Sequence, residues 1–270
     1  MSSTLPDRRI MLASAANMRD LGSLPVEGGV FAPGKVYRSA SLAQLNDTDQ
    51  CTFVDLGIAE VFDLRTKAER EAQPDRLPSG IDLVGVDVLA DGQGGVAAAV
   101  GTLATDPAAV NDLLGGGKVQ DMLADTYRSL VTLPSAHAGY RELFQAISAP
   151  DHDGAVLFHC TAGKDRTGWA AASLLLLLGA DEATVQSDYL QTNDALVPTL
   201  GPLLKNATAK GVDPDLIREA FSVRIEYLDA AQEVVASQHG TIEEYFSSGV
   251  GLDSRTIDTI RERLITTATA

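Results

Sequence analysis

The 270-residue sequence is short of cysteine, of aromatic residues, of positive charge and of long apolar runs, and each shortage excludes something. Two cysteines, Cys51 and Cys160, do not make a disulfide framework. Four histidines (His137, His152, His159 and His239) are scattered without metal-ligand spacing, so neither a zinc site nor any other cofactor is expected. Basic residues number 21 against 37 acidic ones, a formal net charge of −16. Nonspecific nucleic-acid binding depends on Lys and Arg neutralising phosphates, so this balance argues against nucleic acid as a partner. An anionic substrate would need a local positive site, which a Debye length of ~8 Å at physiological salt permits. The most apolar stretch, 169–178, falls far short of the ~20 residues that span a bilayer. Arg8 and Arg9 are not followed by the apolar core of a secretory signal peptide. The expectation is a soluble protein, not an integral membrane protein, with no export signal legible.

What is present is the composition of an ordinary globular chain, 45% hydrophobic and 21% charged, long enough to bury a full core. Residues 61–64, 82–89 and 155–158 read as strands, the last launched by the turn-like Asp151-His152-Asp153-Gly154. Helical periodicity marks 121–133 and 140–147, and nearly everything from 167 onward. Strands among helices predict an α/β fold, a central mostly parallel sheet flanked by helices, as a single domain over 1–270. Cys51 sits in a helix-like stretch and reads as a buried small hydrophobe. Residues 92–118, rich in Gly, Ala and Thr with Gly115-Gly116-Gly117, read as a flexible insertion. Residues 198–235 are helical with breaks at Gly201-Pro202 and Gly211. They are long enough to form a helical lid over a site upstream, and plain core helices are the equal alternative.

The chemistry concentrates in His159-Cys160-Thr161-Ala162-Gly163-Lys164-Asp165-Arg166-Thr167-Gly168. A buried strand runs into the cysteine and an apolar helix follows the loop. Between them Thr161, Ala162, Gly163 and Lys164 can curl so that successive backbone N–H groups converge on one point, an anion nest. Gly163 permits the turn where a Cβ would clash. The following helix aims its N-terminal N–H groups at the same point. Arg166 can offer a bidentate fork to a phosphate. The same positive field favours the Cys160 thiolate, the nucleophilic form. Such a thiolate can attack phosphorus in line, the loop and Arg166 meeting the charge on the equatorial oxygens. Thr167 can then donate to the sulfur as it leaves. The segment is not a Walker loop, since Asp165 follows Gly163-Lys164 where Ser or Thr is required.

This segment resembles the signature loop of the protein tyrosine phosphatase superfamily. Asn17-Met18-Arg19-Asp20-Leu21-Gly22, with Gly34-Lys35-Val36-Tyr37-Arg38-Ser39, resembles the N-terminal signature of a bacterial tyrosine-phosphatase family. Phe62-Asp63-Leu64-Arg65-Thr66 with Glu69 is similar to its next strand and turn, and residues 242–264 to its C-terminal helices. The resemblance covers nearly the whole chain. It implies the cysteine phosphatase fold, a helical lid, secretion into a host cell, and phosphorylated proteins or peptides, with phosphoinositides, as partners. Lys164 resembles the loop lysine of phosphoinositide phosphatases. Asp165 would orient Lys164 or Arg166, or handle a proton. His159 is expected behind the nucleophile, steadying the loop, and Asn17, Arg19, Asp20 and Arg65 in an ion-pair network behind the site. The leaving oxygen needs a proton, and the family resemblance favours Asp82 as donor. Two other classes share a cysteine or an anion loop: sulfurtransferases and arsenate reductases, and phosphate-binding adaptors without turnover. Intact Cys160 and Arg166 argue against the adaptor, and Lys164 with Thr167-Gly168 against the sulfurtransferase.

Overall fold

Strand-length apolar segments interleave with helices before residue 160, and the chain after it is almost wholly helical. The computed structural model describes residues 7–92, 96–101, 103, 105–149 and 154–267. The predicted turn at Asp151, His152 and Asp153, and part of the 92–118 segment, lie outside the described residues. The strands are β1 (Arg19–Asp20), β2 (Pro25–Val26), β3 (Gly29–Phe31), β4 (Val36–Ser39), β5 (Ile58–Asp63), β6 (Asp82–Gly85), β7 (Ala155–His159) and β8 (Ile265–Thr266). The helices before the site are α1 (Asp47–Asp55), α2 (Lys67–Ala72), α3 (Val96–Gly101), α4 (Pro107–Leu114), α5 (Lys118–Thr132) and α6 (Pro134–Ser148). After it come α7 (Arg166–Leu177), α8 (Glu182–Leu196), α9 (Gly201–Ala209), α10 (Pro214–Phe221), α11 (Ile225–Gln238), α12 (Ile242–Glu244) and α13 (Ser254–Leu264).

The main sheet runs β1-β4-β7-β5-β6. Three pairings set β4, β7, β5 and β6 parallel, and a fourth puts β1 antiparallel at the edge. A small antiparallel sheet, β2-β3-β8, ties the two ends of the chain together. The expected mostly parallel α/β architecture is the one observed. Successive side chains of a strand point to opposite faces, and β7 shows the result. Ala155 and Leu157 join one buried apolar cluster, with Phe53, Ile58 and Val61, while Val156 and Phe158 join the other, with α5, α6 and α7. A parallel sheet buried on both faces reads as continuous hydrophobic runs, which is why 155–158 was visible in the sequence. Residue α7 Leu176 alone escapes full burial, so this helix is a core element on every side. Truncating one of its buried leucines to alanine costs about 2–5 kcal/mol.

Three expectations need revision. The strand predicted over 82–89 pairs only as far as Gly85, after which Val86 and Val88 are buried without a ladder. Cys51 is exposed on α1, because it lies on the face opposite buried Phe53 and Asp49. Residues 92–118 fold in part into α3 and α4, whose Val96, Ala99, Val110 and Leu114 enter the main core. The 198–235 segment also divides. Its last helix, α11, packs along α5 and buries Tyr227, Leu228 and Val235, whereas α10 packs against α9, α5 and α3 and brings Ala220 and Phe221 to the cavity. Among the described residues, no helix is long and apolar enough to cross a membrane.

Candidate active site

In a parallel sheet, ligand sites form beyond the carboxyl ends of the strands. Here that edge carries Cys160, the residue after β7, and the loop to Arg166, the first residue of α7. Cys160 is almost fully buried and lies in the wall of a cavity of about 340 Å³. The cavity is lined by Thr161, Ala162, Lys164, Asp165 and Arg166 from the loop, Arg65, Glu69 and Gln73 around α2, and Val96, Val100, Ala220 and Phe221 from α3 and α10.

The loop is held from outside on several sides. Gly163 has φ +65°, and a Cβ there would meet the Ser39 carbonyl oxygen at 2.3 Å, so only glycine fits. Its carbonyl accepts from Arg38 NH2 at 2.9 Å and Asn17 Nδ2 at 2.9 Å. Ser41 N–H donates to the Thr161 carbonyl at 3.1 Å. Tyr140 donates to the Arg166 carbonyl at 3.0 Å and Tyr127 to that of Lys164 at 3.4 Å. Burial pushes both phenols well above their ordinary range, which keeps them donors. Among the described residues, the backbone N–H groups of Thr161, Ala162, Gly163 and Lys164 have no acceptor. Thr167 Oγ1 is buried and likewise has no hydrogen-bond partner.

Arg166 is clamped by Glu69, NH1 to Oε2 at 2.6 Å and NH2 to Oε1 at 3.0 Å. Thr161 Oγ1 donates to Glu69 Oε1 and accepts from Arg166 NH2 at 3.3 Å. Glu69 Oε2 also accepts from Thr66 N–H at 2.9 Å, completing the capping box of α2. Burial alone would push the Glu69 carboxyl up, but the bonds from Arg166 and Thr161 outweigh it and hold it at about 2. Arg166, opposed by burial but facing Cys160 and Glu69, is pushed above its usual range and stays charged.

Lys164 is nearly buried, its Nζ donating to Asp165 Oδ1 at 2.8 Å and to the Ser222 carbonyl beyond α10 at 3.4 Å. His159 is buried at the end of β7, with Nε2 2.9 Å from Asp75 Oδ2 and Nδ1 3.2 Å from the Cys160 carbonyl. The fold gathers Asp63, Asp75 and His159 with ligand atoms within 4.8 Å, a set the histidine spacing did not reveal. Arg65 already supplies a cation there, reaching Asp63 at 2.7 Å and Asp75 at 2.9 Å.

Asp82 is not brought to the site. It is exposed at the start of β6, level with Glu60 and, through it, with Val156. Cys160 lies four residues further along, which at ~3.3 Å per residue puts Asp82 about 13 Å back along the sheet. The parallel topology places strand starts and strand ends at opposite edges, and that signal was available from the sequence. Asp165 lines the cavity instead. Sequence reasoning also missed Asp188, in the middle of α8. It is the shared partner of Arg8, Arg19 and Arg38, at 2.7, 3.0 and 2.8 Å. Nothing local marks it. Glu69 had a local signal, since Thr66-x-x-Glu69 is capping-box spacing.

A buried cysteine after a parallel strand, a glycine-turned loop and a clamped arginine opening the next helix are the parts of a cysteine phosphatase. The family model described as "Tyrosine phosphatase family" matches residues 10–266, and the chain belongs to that family. It is an enzyme of the protein-tyrosine-phosphatase class. Its relatives include the triple specificity protein phosphatase PtpB of Mycobacterium tuberculosis, 30% identical over 94% of this chain and 98% of that protein. A putative tyrosine-protein phosphatase of Cupriavidus necator is 29% identical over 88% of this chain and 82% of its own length. Among solved structures, Pseudomonas aeruginosa TpbA is similar at 18% identity and a TM-score of 0.30, over 70% of this chain and 86% of that one.

Proposed function

We propose that the chain hydrolyses phosphotyrosine, phosphoserine, phosphothreonine and phosphoinositides through a phosphocysteine at Cys160, without a metal. The observation that carries this reading is the cavity in which Cys160, the unpaired loop N–H groups and the Glu69-clamped Arg166 meet. The Cys160 thiolate attacks phosphorus, forming S–P as the P–O bond to the leaving group breaks. Glu69 occupies one edge of the Arg166 guanidinium and leaves its remaining N–H groups for phosphoryl oxygens. Asp165 gives the leaving oxygen its proton. Water then attacks the phosphocysteine, Asp165 takes up its proton, and the free Thr167 hydroxyl donates to the departing sulfur. Lys164, held at the cavity wall, adds charge for a second phosphate. The apolar surfaces of α3 and α10 serve as a cover that shields the thiolate and packs against substrate. The name of the mycobacterial relative supports the breadth of substrates. The family resemblance extends the proposal to a secreted protein, which immunoblotting of culture filtrate tests.

The deciding experiment is phosphate release from a panel of phosphopeptides and soluble phosphoinositides in EDTA, with Cys160→Ser and Arg166→Ala alongside. Turnover that survives chelation and vanishes in Cys160→Ser, while that variant still binds vanadate, supports the mechanism. Full activity in Cys160→Ser would sink it. Wild-type binding without turnover would make the protein an adaptor.

A further inference from the structure

Asp188 takes no part in the chemistry above and lies on α8, outside the cavity lining, yet its carboxylate is the hub of the polar groups behind the loop. It is 1% exposed. Oδ1 accepts from Arg8 NH2 at 2.7 Å and Arg19 Nε at 3.0 Å, and Oδ2 from Arg38 NH1 at 2.8 Å. Its backbone carbonyl takes a further bond from Arg19 NH2 at 3.0 Å. Burial would push this carboxyl up, and the three arginines more than offset that, holding it far below the carboxylate range.

The hub reaches the loop by two routes. Arg38, fixed at one end by Asp188, donates from NH2 to the Gly163 carbonyl at 2.9 Å. Arg19, fixed by Asp188, donates from NH1 to Asn17 Oδ1, which turns Asn17 Nδ2 toward the carbonyls of Gly163 at 2.9 Å and Ala162 at 3.3 Å. None of the peptide bonds here is cis. In a trans peptide the C=O and the next N–H point to opposite sides. Pulling the Gly163 carbonyl toward Arg38 and Asn17 therefore turns the Lys164 N–H the other way, and the bond to Ala162 does the same for the Gly163 N–H. Both N–H groups lack an acceptor among the described residues.

We infer that Asp188 is a positioning residue for phosphate binding: its carboxylate anchors Arg38 and, through Arg19, Asn17, and these two hold the loop carbonyls so that the Gly163 and Lys164 N–H groups meet the phosphoryl oxygens. The inference rests on the phosphatase reading above. Without the carboxylate the three arginines repel one another and both routes slacken. The loss falls on non-bridging oxygens, which every phosphomonoester shares, so it is independent of the leaving group.

The test measures competitive inhibition by vanadate, and kcat/KM on p-nitrophenyl phosphate and a phosphoserine peptide, in Asp188→Asn, Asn17→Gly and the double variant. Removing one preorganised donor costs about 10²–10³ in rate, so misaligning two should weaken vanadate about 10- to 100-fold and lower kcat/KM by the same factor on both substrates. Asn17 sits at φ +58°, which glycine adopts freely, so Asn17→Gly removes side-chain contacts alone and decides the matter if Asp188→Asn does not fold. Sequential action also makes the double variant less impaired than the product of the single effects. A merely structural role lowers Tm and leaves the folded enzyme's vanadate constant untouched. Vanadate inhibition within twofold of wild type in Asn17→Gly, or in a folded Asp188→Asn, overturns the inference, as does full multiplicativity in the double variant. Wild-type protein that fails to bind vanadate overturns the phosphatase reading as well.

Discussion

Exchanging Asp165 for asparagine should leave p-nitrophenyl phosphate hydrolysis nearly intact and slow phosphoserine hydrolysis by about 10²- to 10⁴-fold, the usual worth of general acid catalysis. Phosphotyrosine, whose leaving phenol has a pKa of ~10, should fall between. Asparagine retains the oxygen that accepts from Lys164 Nζ at 2.8 Å, so the loop keeps its shape. What it loses is a transferable proton and a negative charge. The second loss separates a missing acid from a damaged loop: with less repulsion on the anion, vanadate should bind as tightly as to wild type or more tightly. Asp82→Asn is the comparison. A charge in water more than about 13 Å from the reacting phosphorus is worth at most about 0.3 kcal/mol before screening, less than twofold in rate, whatever the leaving group. Initial rates on three substrates at saturating concentration, with vanadate inhibition constants, decide the question. Equal losses on all three substrates in Asp165→Asn, or a leaving-group-dependent loss in Asp82→Asn, would show that the proton comes from elsewhere.

Lys164→Ala should cut kcat/KM for a soluble short-chain phosphoinositide at least about tenfold while costing a phosphotyrosine peptide only a few-fold, because the buried ammonium adds one more charge-assisted bond for a second phosphate. Equal losses on both would leave Lys164 a general part of the loop. Glu69→Gln gives a pH-dependent loss of stability. The folded carboxyl is held at about 2, below its ordinary 4.5. Its contribution, about 1–2 kcal/mol once solvent screening of this partly exposed pair is allowed for, is therefore complete above ~4.5 and disappears as pH falls through ~2. Urea unfolding should show a constant gap between wild type and variant near neutrality that closes in acid; a gap of the same size at both ends would contradict the assignment.

The nucleophile and its loop were legible because the chemistry is contiguous: strand, cysteine, glycine, arginine and helix follow one another within His159 to Gly168. The α/β fold was legible for a similar reason, since a doubly buried strand such as β7 is an uninterrupted apolar run. What escaped is what the fold assembles from afar. Asp188 acquires its meaning only when α8 brings it against three arginines from the first forty residues. Asp82, favoured by the family resemblance, opens β6 and so lies at the edge of the parallel sheet opposite Cys160. Cys51 was read as buried because a small apolar residue in a helix says nothing of which face it occupies. The Gly, Ala and Thr of residues 92–118 read as a flexible insertion because they are weak signals of packing, yet Val96 and Val100 reach the cavity wall.

That wall bears on substrate preference. The floor of the cavity is built by one contiguous loop and its clamp from α2, whereas the facing apolar surface comes from α3 and α10, far away in sequence and chemically undemanding. Substitutions at Val96, Val100, Ala220 or Phe221 can reshape what the mouth admits while the reacting atoms keep their coordinates. Exchanging these apolar residues should therefore change the preference among bulky phosphorylated substrates while leaving the rate on a small one such as p-nitrophenyl phosphate nearly unchanged.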